Sequence, residues 1–316
     1  MRIYSIFDDF DKDAIKIIGD AGGDLTIHPL GVPRPDTVQM KKILEEYDCV
    51  IIGTSQKITE DMFEGITTPR VIATASVGMD HIRIPEDKKS LVTILNTPKA
   101  NAQSVAEFTM GCALSCCKRL VEGEGLYKQG KDNKQLYRKP EDLAGKTIGV
   151  IGAGNISARI MDYAQFFGMS ILCWTRNPDH HRGLEEKGVQ FIGLNELAEK
   201  ADVISVNLPN NADTRGLISQ ALVNRMKDAA IFISVSRLDT IDTDSLFEKA
   251  RSHPGFYVCL DLDVNHDVVK KMPIRPNVMV TPHIAGGTVE TRKRMFREVA
   301  NQIVEQLKES TYYESI

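Results

Sequence analysis

No stretch of this chain approaches the ~18 consecutive apolar residues that a membrane-spanning helix requires, so no membrane partner is expected. The first ten residues, Met1-Arg-Ile-Tyr-Ser-Ile-Phe-Asp-Asp-Phe10, carry acids where a secretory signal stays apolar, and the expected compartment is the cytoplasm. Net charge is only −4, with both signs interspersed and no basic stripe, which argues against nucleic acid as the main partner. Six cysteines are present (Cys49, Cys112, Cys116, Cys117, Cys173 and Cys259), but no Cys-x-x-Cys pair. Most lie in apolar stretches, so free buried thiols are expected rather than disulfides or a metal site. Internal repeats and low-complexity tracts are also missing. What remains is an ordinary globular composition, 42% apolar and 26% charged, in 316 residues, enough for two domains with separate cores.

The most informative segment is Lys146-Thr-Ile-Gly-Val-Ile-Gly-Ala-Gly-Asn-Ile-Ser157. An apolar strand at 147–151 runs into Gly152-x-Gly154-x-x-Ser157, a helix is predicted over 158–167, and a second apolar strand over 170–174. In such a βαβ unit Gly152 permits the tight turn. Gly154 removes the Cβ that would keep a pyrophosphate from the backbone, and the helix N-terminus offers N–H groups and partial positive charge. The motif departs from Gly-x-Gly-x-x-Gly at Ser157, which is still small enough for close helix–strand packing. A bound dinucleotide is expected.

Also missing is the acid that an NAD site places after the second strand to hold the ribose 2′-OH. Trp174-Thr175-Arg176-Asn177 stands there instead. Arg176 offers a planar fork for phosphate oxygens, and His180, His181 and Arg182 lie just beyond. This favours NADP(H) over NAD(H), with NAD retained as the alternative.

Strands are predicted at 2–7, 25–28, 49–53, 71–75 and 92–96, with helices at 11–21 and 37–46, a pattern that gives a parallel sheet covered on both faces. A long helix is predicted from Asn101 to about Gly130, begun near Asn96-Thr-Pro98. It is apolar all round, as expected of a helix between domains or subunits. A loop is expected at 128–139. Further strands are predicted at 191–192, 203–208, 230–235, 257–262 and 278–281. The last helix, 288 to about 308, carries Met295, Val299, Ile303 and Leu307.

Several segments then fall in order: Ala75-Ser-Val-Gly-Met-Asp-His-Ile82, Asn96-Thr-Pro98 with Ser104-Val-Ala-Glu107, Leu143 through Gly154, Asn207-Leu-Pro209, Ser234-Val-Ser-Arg237 and Thr281-Pro-His-Ile-Ala-Gly-Gly-Thr288. Together they resemble the D-isomer-specific 2-hydroxyacid dehydrogenases across nearly the whole chain, most closely the glyoxylate/hydroxypyruvate reductase branch. The resemblance implies an α/β fold with a Rossmann-type dinucleotide domain (100–287) inserted into a smaller flavodoxin-like substrate domain (1–99 plus 288–316). It also implies a homodimer and a substrate cleft between the two domains.

The activity implied is hydride transfer between NADP(H) and a small 2-keto or 2-hydroxy acid. Arg237 matches the arginine that grips the carboxylate and carbonyl oxygen. His283 matches the general acid, an imidazole suited to proton exchange near neutrality. Val77 and Gly78 would hold the substrate carboxylate through backbone N–H groups. Cofactor contacts fall to Gly152, Gly154, Asn155 and Ile156, to Thr175, Arg176 and Asn177, and to Leu208, Pro209, Val235, Ser236, Asp261 and Gly286.

The carboxylate expected to pair with His283 is the point of departure. Family members carry Asp-Val-Phe-x-x-Glu-Pro, whereas this chain has Leu260-Asp-Leu-Asp-Val-Asn-His-Asp-Val-Val269. Counting from Arg237 makes Asp261 the aspartate near the nicotinamide amide; matching Asp-Val makes it Asp263. Either register puts His266 or Val268, not a glutamate, at the partner position. Asp267 is the nearest free acid and is taken as the catalytic partner. Two rival readings remain: an NAD-dependent relative acting on a larger or phosphorylated acid, and a nucleotide-sensing binding protein resembling the family's corepressor members, which the missing Glu-Pro favours.

Overall fold

The computed structural model describes residues 1–132, 134 and 139–314, so the loop expected at 128–139 lies partly outside the described residues. The chain divides into two units, Met1–Asn101 with Thr288–Ile316, and Ala102–Gly287.

In the first unit five strands, β1 (Arg2–Ser5), β2 (Asp24–Ile27), β3 (Cys49–Ile52), β4 (Arg70–Thr74) and β5 (Val92–Leu95), form a wholly parallel sheet in the order β2-β1-β3-β4-β5. β3 reads Cys-Val-Ile-Ile and is buried throughout, as a central strand covered on both faces must be. Helix α1 (Lys12–Asp20) starts where the Asp11 side chain accepts from the Ala14 amide. α2 (Thr37–Glu46) starts in a reciprocal box in which the Asp36 side chain takes the Gln39 amide and Gln39 takes the Asp36 amide. The C-terminal helix, which is α10 in chain order (Val289–Glu314), returns to this unit. It buries Phe296, Val299, Ala300 and Ile303 at the i, i+3, i+4, i+7 spacing of one helix face. Of the expected stripe, Val299 and Ile303 are buried and Leu307 packs on the same core; Met295 is half-buried, and Phe296, packed on Phe7 and Phe10, takes its place.

The second unit holds a seven-stranded parallel sheet, in the order β12-β11-β10-β9-β6-β7-β8, made of β6 (Thr147–Ile151), β7 (Ser170–Trp174), β8 (Val189–Phe191), β9 (Val203–Val206), β10 (Ile231–Ser234), β11 (Tyr257–Asp261) and β12 (Val278–Thr281). With β6 counted as first, six of these strands follow the dinucleotide-fold order 3-2-1-4-5-6, and β12 adds a seventh at the edge. Apolar clusters cover both faces. All six cysteines are buried and free, and the Cys116 and Cys259 sulfurs lie 3.4 Å apart.

The long helix expected from Asn101 is two helices, α3 (Ala102–Cys117) and α4 (Leu120–Lys128). Arg119 breaks it, in the left-handed region at φ 52°. Its Nη1 donates to the Tyr257 hydroxyl at 2.5 Å and to Glu122, and its Cζ lies 5.3 Å from the Tyr257 ring centre. Burial pushes that phenol up to about 12. α3 packs on α5 (Asn155–Phe166) and β10 of its own unit.

Asp202, just before β9, fastens the start of β6. Its carboxylate accepts from the Thr147 amide and from the Lys227 ammonium, each at 2.8 Å. Burial pushes this carboxyl up, but the Lys227 and Thr147 hydrogen bonds outweigh it and hold the group below its ordinary value. A lowered folded value stabilises the fold above the unfolded pKa of about 4, and the contribution is lost as pH falls through the folded value. Asp202→Asn is therefore expected to cost roughly 1 kcal/mol at pH 7, both partners being partly solvated, with the gap closing towards pH 3. Urea unfolding across that range measures it; a pH-independent difference would contradict the assignment.

Candidate active site

The expected phosphate turn is built as the glycines require. Gly152 sits at φ +101°, and a Cβ there would come within 2.7 Å of the Asn207 carbonyl oxygen. Its amide donates to the Trp174 carbonyl, tying the turn to the end of β7. Gly154 precedes α5, a helix of 12 residues with no side-chain cap, and a Cβ on Gly154 would meet no protein atom within 4 Å. An uncapped helix start beside open space fits a pyrophosphate. Ser157 is fully buried, its hydroxyl without a hydrogen-bond partner among the described residues.

Neighbouring strand ends complete the groove. The Ser236 hydroxyl accepts from the Leu208 amide at 2.7 Å and donates to the Val206 carbonyl at 3.1 Å, clamping the exits of β9 and β10 together. Beside it the chain runs through Pro209 and Val235. Thr175, Arg176 and Asn177 leave β7, and the Arg176 guanidinium is engaged by Asp213, which the sequence reading did not single out. Beyond β12, Gly286 follows the buried Ala285.

The reacting groups follow from strand register. Ser234 pairs with Leu260, and Leu260 pairs with Val280. Three residues further along the chain, just past the strand ends, stand Arg237, Asp263 and His283. They form one transverse row at the C-terminal edge of the sheet, where ligands bind in open α/β folds. His283 Nδ1 lies 2.6 Å from the Asp263 carboxylate, and its Nε2 lies 3.3 Å from Arg237 Nη1. A guanidinium only donates, so Nε2 is the acceptor and Nδ1 carries the proton shared with Asp263. A cleft of about 250 Å³ opens here, lined by these three side chains with Asn210, Ser236, Asp239, Asp261 and Asn265.

The partner of His283 is thus Asp263, and the expectation of Asp267 is corrected. Asp267 lies in the first turn of α9 (His266–Lys271), where Asn265 caps the helix and the acid points to solvent near Lys270. There it complements the helix dipole. The signal that identifies Asp263 is the offset of 20 between β11 and β12, which carries Asp261↔Thr281 on to Asp263 and His283.

Asp261 serves the same loop from beneath. It is buried, and its carboxylate accepts from the Thr281 hydroxyl at 2.6 Å, the Ile284 amide at 2.9 Å and the Ala285 amide at 2.8 Å. These bonds bracket His283, which sits at φ +52°. A non-glycine residue there costs about 1–2 kcal/mol and persists only where its surroundings over-determine it. The carboxylate expected near the nicotinamide amide is largely occupied in holding the imidazole.

In the first unit, the loop after β4 has three carbonyls pinned in succession. Ser76 O accepts from the Thr97 amide, Val77 O from Asn96 Nδ2 and Gly78 O from the Ser76 hydroxyl. In a trans peptide the N–H points opposite the preceding C=O. Pinning these carbonyls therefore fixes the Val77 and Gly78 amides, which have no acceptor among the described residues, facing the other way.

The sequence profile described as "D-isomer specific 2-hydroxyacid dehydrogenase, NAD binding domain" matches residues 110–285. The chain belongs to the D-isomer-specific 2-hydroxyacid dehydrogenases. It is 32% identical over 273 residues to a hydroxypyruvate reductase of Thermotoga maritima, covering 85% of this chain and 88% of that protein. It is 29% identical to a glyoxylate reductase of Thermofilum pendens, covering 90% and 86%. A D-lactate dehydrogenase of Aquifex aeolicus, solved with NAD and lactic acid, superposes with a TM-score of 0.78 at 25% identity, over 99% of this chain and 97% of that one. As a 2-hydroxyacid dehydrogenase the chain is an oxidoreductase with a nicotinamide-dinucleotide domain. Among the described residues this dehydrogenase has no helix long and apolar enough to cross a membrane, and no cluster of three or more potential metal-ligating side chains.

Proposed function

We propose that this dehydrogenase reduces small 2-keto acids of the size of glyoxylate or hydroxypyruvate, with NADPH preferred through Arg176. The row Arg237–Asp263–His283 carries the reading. When bound, the dinucleotide supplies the hydride that reduces the keto carbon. Arg237 Nη1 and His283 Nε2, 3.3 Å apart, converge on one point where a keto oxygen accepts from the guanidinium and, once it has displaced the Arg237 contact and Nε2 has taken up a proton from solvent to give the imidazolium, from the ring as well. His283 then gives its Nε2 proton to the developing alkoxide, and Asp263 keeps Nδ1 protonated and the ring in place. The Val77 and Gly78 amides, held without an acceptor among the described residues, are suited to bind a carboxylate. Gly152, Gly154, Asn155 and Ile156 hold the pyrophosphate. Leu208, Pro209, Val235, Ser236 and Gly286 border the rest of the dinucleotide. The named activities of the Thermotoga and Thermofilum relatives support a small substrate.

The missing Glu-Pro, which favours a sensor without catalysis, loses its weight because Asp263 supplies a carboxylate to the imidazole from another position. The test is to mix purified protein with NADPH or NADH and a panel of 2-keto acids and to follow nicotinamide absorbance at 340 nm. Oxidation with glyoxylate or hydroxypyruvate is expected, faster with NADPH. Nucleotide binding without turnover across the panel would overturn the reading in favour of the sensor.

A further inference from the structure

We infer that Asp213 is a cofactor-specificity residue that competes with a nucleotide 2′-phosphate for the Arg176 guanidinium and accepts the free 2′-OH of an unphosphorylated ribose. The inference rests on the dinucleotide reading of this groove. β7 ends without an acid, so the sequence leaves Arg176 as an uncontested phosphate reader. The fold adds an acid from elsewhere: Arg176 Nη1 donates to Asp213 Oδ2, and Asp213 comes from the loop that follows β9.

That loop presents Asp213 in a fixed way. The Asp213 amide donates to Asn211 Oδ1 at 3.0 Å. The buried Thr214 hydroxyl donates to the Pro209 carbonyl at 2.6 Å and accepts from the Asn211 amide at 3.0 Å. Pro209 borders Leu208, whose amide is clamped by Ser236, so the acid is referenced to the same strand ends as the cofactor groove. Arg182, further along the segment that follows β7, is paired with Asp179.

The magnitudes decide what such a pair can do. Both side chains are more than half exposed, 51% for Arg176 and 63% for Asp213. A solvated ion pair shifts an equilibrium by no more than about fivefold, so a phosphate dianion can displace Asp213. It does so against that pairing and against repulsion from a carboxylate left beside it. An unphosphorylated ribose meets no such opposition, and Asp213 Oδ1, which makes no hydrogen bond among the described residues, is an acceptor for its 2′-OH. Arg176 draws the phosphate in while Asp213 moderates the preference, leaving both cofactors usable.

The test uses fragments that differ only at this position, adenosine 5′-monophosphate and adenosine 2′,5′-bisphosphate. Trp174, the single tryptophan, lies two residues from Arg176 and reports binding by its fluorescence without any turnover. Asp213→Asn is expected to tighten the bisphosphate about five- to tenfold and to leave the monophosphate unchanged or weaker. Arg176→Ala is expected to weaken the bisphosphate about tenfold and to change the monophosphate less than twofold. A ratio of affinities within twofold of wild type in Asp213→Asn, with both fragments bound, overturns the inference alone. Failure of either fragment to bind any variant overturns it together with the dinucleotide reading beneath it.

Discussion

His283→Ala is expected to lower kcat for keto-acid reduction by about 10³- to 10⁴-fold with KM little changed, because it removes the proton donor while leaving the anion-binding groups intact. Arg237→Ala is expected to cost about 10²- to 10³-fold in kcat and to raise KM as well, since one guanidinium both polarises the carbonyl and attracts the acid. Asp263→Asn separates the two candidate carboxylates. The amide keeps the shape of the side chain but offers no charge to balance an imidazolium, and its NH₂ group competes for the wrong tautomer. About 10²-fold is expected. Asp267→Asn, altered at an exposed helix start, is expected to stay within twofold. Steady-state kinetics on the four variants decides the matter: equal losses in the two aspartate variants would remove Asp263 from the mechanism.

The second large effect concerns stability and activity together. Asp261→Asn replaces a carboxylate that accepts three hydrogen bonds with a group that presents donors to at least one of the same amides. A cost of about 2–4 kcal/mol in unfolding free energy is expected, with kcat reduced more than tenfold as the His283 loop relaxes. The strain at His283 has its own signature. His283→Gly is expected to be more stable than His283→Ala by about 1 kcal/mol, because only glycine occupies φ +52° without penalty. Denaturant unfolding and kinetics on the same preparations measure both. An Asp261→Asn protein as stable and active as wild type would show that the three bonds do not hold the loop.

Much of the fold could be read from local pattern. Thr147–Ile151 is an apolar run that ends at Gly152, Ser170–Trp174 is one that begins just after Gly168, and both strands form at the predicted residues. The helix expected at 37–46 forms as well, and the Asp36-x-x-Gln39 box that starts it was a local signal left unread. The break at Arg119 was not legible, because its cause is a tyrosine 138 residues away on β11. The choice among Asp261, Asp263 and Asp267 failed for a related reason. Motif matching slides along one segment, whereas the partner of His283 is set by pairing between two strands. Asp213 escaped notice because nothing near Arg176 in the chain announces an acid that folding brings beside it.

The same pairing that aligns Arg237, Asp263 and His283 runs on through β9 and β6, where Ser234 pairs with Val206 and Val206 with Ile151. Three residues beyond these stand Pro209 and Gly154. The sheet therefore acts as a gauge. With strands about 4.8 Å apart, the strand that leads into the phosphate turn and the strand that leads to Arg237 are separated by two steps of the backbone lattice, about 10 Å. Swapping side chains in the core cannot rescale that interval, since hydrogen-bonded main chain defines it. Deleting a single residue from β10 would shift Arg237 along its strand and out of the rank it shares with its neighbours. The loops past the strand tips carry the reacting side chains, so only their stretches outside Arg237, Asp263 and His283 can vary while the gauge itself stays fixed.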